Sequence, residues 1–324
     1  MVLGASGFLG SHVTQQLVAA GRDVRIMVRK SSDTSTTDSL QLERCIGDVL
    51  DPDSLRAAMS GCRSVFHGAV DTRAWLRDPK PLYRVNVDGL VNSMEAALAT
   101  GVERFVFTSS VVTIGRKASG VPSEADEFDG WEKAPEYIRC RLEAERRFTA
   151  YCRERGLPGV ACCVGNTYGG GDIVPTPHGA LVDNVAKQRM SVYWDGGGPG
   201  VGVTDAARAL ILAEQKGRVG ERYIVAERYI DYRELFTLAA EAAGVEPPSR
   251  HMPTWMMYAL NGVTGLLARL RGEETRANLE SLRCARAVGD VDSSKARREL
   301  GWEPRPIEAS IREAVDFYLG RDRT

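Results

Sequence analysis

The sequence predicts an α/β protein: a doubly wound parallel sheet followed by a smaller, interleaved C-terminal region. Three observations carry that expectation. Gly4, Gly7 and Gly10 sit where a short apolar strand meets an amphipathic helix, in the opening run MVLGASGFLGSHV. Short apolar runs then alternate with longer segments of helical period as far as Gly165, the pattern of repeated βαβ units rather than of a sandwich. Beyond Gly165 the texture becomes loop-rich, through NTYGGGD at Asn166–Asp172 and the glycine run Gly196–Gly200, before helical periods return.

In order, the strands are MVL, DVRIMV, a short one near LERCIGD, SVFHGAV, RFVFTSS and GVACCVG. The helices between them are SHVTQQLVAA, SLRAAM, LYRVNVDGLVNSMEAAL and a long one from Pro135 to about Arg155. Pro135 at the first turn and Gly156 just past the end follow the usual asymmetry of helix termini. The first strand, Met1–Leu3, is shorter than the usual ~5–6 residues, so further residues are expected ahead of it. Later helical segments fall at Asp205–Gln215, Tyr232–Ala243, Trp255–Leu270 and Ile307–Tyr318. This divides the chain into a nucleotide-binding unit, 1–165, and a mainly substrate-binding region, 166–324, with an excursion back to the sheet near 196–228.

Composition removes several alternatives. A chain of 324 residues exceeds one ordinary core. A formal net charge of −1 offers no basic footprint for nucleic acid. The longest uncharged stretch, Thr254–Ala268, is interrupted by Asn261, Gly262 and Gly265 and falls short of the ~18 apolar residues of a spanning helix. No membrane partner is expected on that ground. Seven scattered cysteines lack metal spacing and read as reduced thiols. With no charged-then-apolar leader, a cytoplasmic location is expected.

The three glycines have a physical reason. A helix N-terminus presents unbonded N–H groups and a partial positive charge, so a pyrophosphate settles there if the backbone can come close. Glycine removes the side chains in the way, and the last one lets helix and strand pack tightly. A second strand follows at the βαβ distance, which makes this a Rossmann-type dinucleotide site. At the end of that strand an acid would bond the ribose of NAD, whereas a base accommodates the extra phosphate of NADP. Arg29 and Lys30 stand there, followed by Ser31 and Ser32, with no acid before Asp33. NADP is therefore expected, with NAD as the alternative if the two cations are only a solvated strand end. Asp48 is placed to bond the adenine amino group.

Ser110 ends the strand RFVFTSS, and Tyr137 opens a helix with Arg141 one turn later. Residues four apart share a helix face, so phenol and guanidinium point the same way. Carbonyl reduction needs a proton donor for the developing alkoxide, and a nearby cation favours a tyrosine's phenolate. The competing reading makes Tyr137 a packed aromatic and Arg141 a surface partner of Glu145.

GASGFLG, GDV at Gly47–Val49, VFHGAV, VNVDG, FVFTSS and a helix tyrosine occur in this order. In that order the chain resembles the extended short-chain dehydrogenase/reductase superfamily, the NAD-dependent epimerase/dehydratase family. HGAVDTRAWLRDP, GVERFVFTSSVVTIG, GGGDIVPTPHG and DSSKARRELGWEPRP resemble its dihydroflavonol reductase-like and 3β-hydroxysteroid dehydrogenase-like branch. The likeness runs from Met1 to about Tyr318. It implies Ser110, Tyr137 and Arg141 as the catalytic set, Arg141 standing where the family has lysine. Arginine supplies the charge but is bulkier and does not deprotonate. The implied cofactor contacts are Gly4, Ser6, Gly7, Phe8, Leu9 and Gly10 in the loop, Arg29, Lys30, Asp48 and Val49 at the adenosine end, and Gly68, Ala69, Val70, Tyr137, Arg141 and Val164 toward the ring. Val164 stands where proline is common.

Thr72, Arg73, Trp75, the segment Tyr168–Asp172 and His178 fall where relatives border the substrate, together with Ser110. TWMMYALNGVTGLLARL is either an apolar wall for a substrate or an ordinary core helix. The expected activity is an NADP-dependent oxidoreductase acting on a ketone or aldehyde and its alcohol, on a small apolar molecule. A sugar-nucleotide epimerase or dehydratase is the alternative on the same fold. Arg141 also admits an NADP(H)-binding sensor or assembly protein without turnover. A homodimer is expected through the VNVDG and Tyr137 helices, whose apolar positions include Leu90, Met94, Leu98, Leu142 and Phe148.

Overall fold

The computed structural model describes residues 1–117, 119–129 and 131–321. The chain runs through β1 (Val2–Leu3), α1 (Phe8–Ala19), β2 (Arg25–Val28), β3 (Glu43–Ile46), α2 (Pro52–Met59) and β4 (Ser64–His67). A short α3 (Lys80–Tyr83), a π-helical turn over Arg84–Asp88, α4 (Gly89–Ala99), β5 (Arg104–Ser110), α5 (Glu136–Arg155) and β6 (Gly159–Val164) follow. Next come β7 (Asn166–Tyr168), α6 (Pro177–Ala186), β8 (Val192–Tyr193), β9 (Gly197–Gly202), α7 (Val203–Lys216), β10 (Arg222–Val225) and β11 (Arg228–Asp231). The remainder is α8 (Tyr232–Ala243), β12 (Arg250–His251), α9 (Thr254–Arg271), α10 (Leu279–Ala285), α11 (Ser294–Leu300) and α12 (Ile307–Arg321).

Seven strands form one sheet in the order β10-β6-β5-β4-β1-β2-β3, and each neighbouring pair is parallel. The strand order reverses between β1 and β4, which opens a crevice at the carboxyl ends of those strands. One face of the sheet is covered by α1, α7 and α11 through Val13, Leu17, Leu210 and Leu300. The other is covered by α2, α4 and α5 through Leu55, Leu90, Met94 and Phe148. Leu90, Met94 and Phe148 are thus core residues of the single chain, and of the five apolar positions considered for a dimer seam only Leu98 and Leu142 keep part of their surface. A smaller layer packs α6, α8 and α12 through Val182, Leu235 and Ile311, beside the three-stranded sheet β11-β9-β7. In the stretch near 196–228, β9 joins that small sheet and β10 returns to the edge of the large one.

Local chemistry sets the element ends. Helix α1 begins at Phe8, ahead of the expected Ser11, because Gly7 is an extended N-cap (φ −86°, ψ 166°) from which the chain turns at once. Gly156 ends α5 in the left-handed region at φ 69°, as its position suggested. Within the expected first strand, Val2–Leu3 forms the two-residue β1, whose residues are wholly buried between β2 and β4.

Two expectations are corrected. The glycine run read as loop is β9, a buried strand. It is glycine-rich because neighbours press on it: a Cβ at Gly200 would lie 2.3 Å from Ile307 Cδ1, and one at Gly202 2.2 Å from Ser310 Oγ. The core-helix reading of Trp255–Leu270 also fails, since Met257 is the one buried residue of α9. Helix α6 was missed altogether, although Thr176 caps it by accepting from the Gly179 amide at 3.0 Å and Pro177 opens it.

Candidate active site

The crevice is assembled from backbone first. Gly4 adopts φ 83°, and a Cβ there would stand 2.6 Å from the Gly68 carbonyl. At Gly10 a Cβ would meet the Gly4 oxygen at 2.1 Å. Only glycine lets β1, β4 and α1 converge this closely. The N-terminus of α1 has no side-chain cap and no acid in its first turn. Gly7 is exposed there, with Ser6, Phe8, Leu9 and Gly10 partly so. An uncapped, partly open helix end is a cradle for a diphosphate.

At the far end of β2, Arg29 and Lys30 are exposed, and no ion pair engages either among the described residues. The Arg29 amide bonds Ser32 Oγ at 3.1 Å, which folds the following turn back. Asp48 is partly exposed and accepts from the Leu50 amide at 2.9 Å. Val49 is buried against Gly89, where a Cβ would lie 2.8 Å from Val49 Cγ2. Gly68 and Ala69 are partly buried beyond β4, and Val70 is exposed.

Ser110 and Val164 are partners in the β5–β6 register, so both stand at the carboxyl edge of the sheet. Ser110 Oγ accepts from the Val112 amide at 3.4 Å. Arg141 is 3% exposed. Its Nη2 donates to the Thr108 carbonyl at 2.6 Å, and its guanidinium carbon lies 5.5 Å from the Phe107 ring centre. Its Nε is buried without a partner, as are Thr108 Oγ1 and His67 Nε2. A Cβ at Gly68 would fall 3.7 Å from Thr108 Oγ1, so this orphaned group lies beside the crevice. The Arg141 and Thr108 atoms, toward the start of α5 and the end of β5, suit a polar ligand, whereas the His67 ring lies against Phe105, Phe107 and the Gly89 backbone.

Tyr137 is partly buried on the first turn of α5. Burial pushes its phenol pKa up; Arg141 pulls against this, while Cys284, Cys140 and Asp71 add to the rise. Arg141 thus favours the phenolate, as expected of a neighbouring cation, but burial outweighs it and the net shift is upward. Arg141 is no surface partner of Glu145. Glu145 instead bonds Arg222 at 2.6 Å and Thr113 Oγ1 at 2.9 Å, and accepts from Ser109 as well. Thr113 Oγ1 also reaches the Ser110 carbonyl at 2.7 Å. This buried network clamps the end of β5 against α5.

Asp71, Asn86 and Arg73 form a further element that the sequence reading passed over in part. Asn86, inside the π-helical turn, exchanges bonds of 2.8 and 2.9 Å with the Asp71 backbone. Arg73 grips the Asp71 carboxylate at 2.6 Å; burial raises that carboxyl, but Arg73 outweighs it and the pKa ends below its ordinary value. Thr72 is exposed and Trp75 partly buried. Asn278 Nδ2 donates to the Trp75 carbonyl at 3.2 Å, and Arg276 lies over its ring at 4.8 Å. Together with Cys284, which acts on Tyr137, these contacts pack the segment after α9 against Trp75 and α10 against α5. Tyr168 and His178 pack edge to face at 6.3 Å, and the Gly170 carbonyl between them in the chain lies 3.0 Å from His12 Nε2 on α1; Tyr168 belongs to the core of the smaller layer. Asp172 is buried there as an acceptor for Tyr318 and Thr176.

A model of the NAD dependent epimerase/dehydratase family matches residues 1–226. The chain belongs to this family. It is 29% identical, over 98% of its length and 93% of the relative's, to a Synechocystis protein provisionally named a dihydroflavonol 4-reductase. Cinnamoyl-CoA reductase 1 of Oryza sativa subsp. japonica is 31% identical over 74% of each chain. The crystal structure of gox2253 superposes with a TM-score of 0.87 at 34% identity, covering 100% of this chain and 98% of that one. A UDP-glucose 4-epimerase of Thermus thermophilus, solved with NAD, shares the fold at a TM-score of 0.77 and 22% identity, covering 98% of each. The family is thus one of NAD-dependent epimerases, dehydratases and reductases, and reductases stand among this chain's relatives.

Proposed function

We propose that this protein is an NADP-dependent reductase of a ketone or aldehyde on a small apolar substrate. The observation that carries the reading is a partly buried Tyr137 one helical turn from the buried Arg141, at the sheet edge that also holds the glycine cradle. The residues fit a dinucleotide: the uncapped end of α1 would hold the diphosphate, and Arg29 and Lys30 the additional ribose phosphate. The unpaired Arg141 Nε would take a ribose hydroxyl. When bound, the nicotinamide supplies hydride to the carbonyl carbon.

The protein's own part is orientation and proton supply. Ser110 Oγ donates its proton to the carbonyl oxygen and fixes its direction, while a lone pair of the same oxygen can go on accepting from the Val112 amide. Tyr137 then gives its phenolic proton to that oxygen as negative charge develops there, which completes the alcohol. Arg141 stabilises the phenolate left behind; because arginine does not deprotonate, the phenol regains its proton from water. The names of the two reductase relatives support this direction of reaction.

Titration calorimetry with NADPH and NADH, followed by single-turnover oxidation of NADPH with a panel of apolar ketones and aldehydes, tests the proposal. Tighter uptake of NADPH and carbonyl-dependent oxidation are expected. Saturable binding of nucleoside-diphosphate sugars without carbonyl reduction would replace it with the epimerase or dehydratase reading.

A further inference from the structure

Helix α9 is built inside out. Met257, Asn261, Thr264, Gly265 and Ala268 recur at helical spacing, and all are buried or partly buried against the protein. The polar members of this stripe are satisfied there. Thr264 Oγ1 donates to the Ala277 carbonyl at 2.6 Å, and Asn261 Nδ2 to the Met257 carbonyl at 2.9 Å. The opposite side carries Trp255 (71% exposed), Val263 (56%), Leu266 (58%) and Leu270 (76%), flanked by exposed Met256 and Leu267. A helix facing water shows the reverse order. A contiguous apolar face of this kind marks a surface that meets something other than water.

Charge chooses the occupant. No acidic residue lies in Thr254–Arg271, and Arg269 and Arg271 occupy the last turn. Between Arg250 and Arg286 there are six arginines and three glutamates, whereas the whole chain carries −1. Trp255 and Tyr258, at the other end, are the amphipathic aromatics that favour the headgroup level, and long arginine side chains can reach phosphates while their stems stay apolar. No helix among the described residues is long and apolar enough to cross a membrane, so the fitting geometry is a helix lying in the interface. We propose that α9 seats this protein on an anionic lipid surface, in the plane of the membrane. The expectation of no membrane partner rested on the lack of a spanning segment, which an in-plane helix does not need. The segment that follows α9 holds Trp75 through Asn278 and Arg276. The inference stands apart from the reaction proposed above.

Flotation of the purified full chain with phosphatidylcholine vesicles, with and without phosphatidylglycerol, tests it. Binding to the anionic vesicles is expected to be about tenfold or more tighter than to neutral ones and to weaken with salt. The double substitution Leu266→Asp/Leu270→Asp abolishes flotation, and Arg269→Glu/Arg271→Glu weakens it about tenfold. Unchanged nucleotide uptake by both variants shows that they fold. Absence of flotation, equal binding to neutral vesicles, or flotation indifferent to the substitutions overturns the proposal. So does a concentration-dependent dimer, dissolved by Leu266→Asp/Leu270→Asp, in a protein that ignores vesicles; the face would then belong to a second copy.

Discussion

Helices α5 and α9 break the same rule in opposite directions. On α5 an arginine and a glutamate, Arg141 and Glu145, are buried one turn apart. On α9 a tryptophan, a valine and several leucines are exposed while asparagine and threonine face the protein. In α5 the buried charges are matched from outside the helix, Glu145 by Arg222 and Arg141 by the Thr108 carbonyl and the Phe107 ring. In α9 the apolar side lies exposed, with nothing among the described residues covering it. The lesson is that burial alone does not mark a site; what marks it is whether the anomaly is resolved within the fold. The Glu145 pair is resolved and is structural, whereas the free Nε of Arg141 and the bare face of α9 are open and point to ligands.

The largest effect expected is on Tyr137. Tyr137→Phe keeps the ring and its packing but removes the proton donor, so kcat should fall by about 10²–10⁴, with nucleotide affinity unchanged by calorimetry. If turnover survives, α5 contributes packing and not chemistry. Next in size is the resolved pair. Arg222→Met leaves Glu145 buried without its partner and should cost about 3–5 kcal/mol in denaturant unfolding. Adding Glu145→Leu should recover a large part of the loss, because an apolar pair needs no compensation.

How much of this was legible in the sequence follows the range of the interactions. The cradle of Gly4, Gly7 and Gly10 was readable because loop and helix are adjacent in the chain. The shared face of Tyr137 and Arg141 was readable from helical spacing. For Glu145, nearness along the helix offers Arg141 only as one of two readings, and its actual partner Arg222 arrives from 77 residues away. The glycine run of β9 reads as a loop because glycine ordinarily weakens strands; the neighbours that require it, Ile307 and Ser310, lie about a hundred residues further along. The inward and outward faces of α9 could be drawn from the sequence as a wheel, but which of them met the protein could not.

His67 adds a pH dependence to the sheet half of the comparison. Burial holds its imidazole neutral, with the pKa lowered to about 4, and His178 is lowered to about 4 for the same reason. The unfolded chain binds these protons near the ordinary value of ~6.5. Stability is therefore fully present above pH 6.5, is lost as pH falls toward about 4, and has no further contribution from these groups below that. A loss of roughly 3 kcal/mol per group across this window of about 2.5 pH units is expected, and His67→Gln should flatten part of it in urea titrations. A smaller effect is expected at the cofactor's far end. Arg29→Ala/Lys30→Ala should weaken NADPH by about ten- to a hundredfold, as loss of charge-assisted bonds does, and leave NADH nearly untouched.

The smallest effect sharpens the contrast most. Leu266 on α9 is a leucine in a helix, yet Leu266→Asp should change folding stability by less than about 0.5 kcal/mol, because 58% of its surface already meets solvent. An equally drastic change at Leu90, which is fully buried, should exceed several kcal/mol in the same urea titration. A marked loss at Leu266 would mean that another part of the chain covers this face in solution, and α9 would then join α5 among the anomalies that the fold resolves by itself.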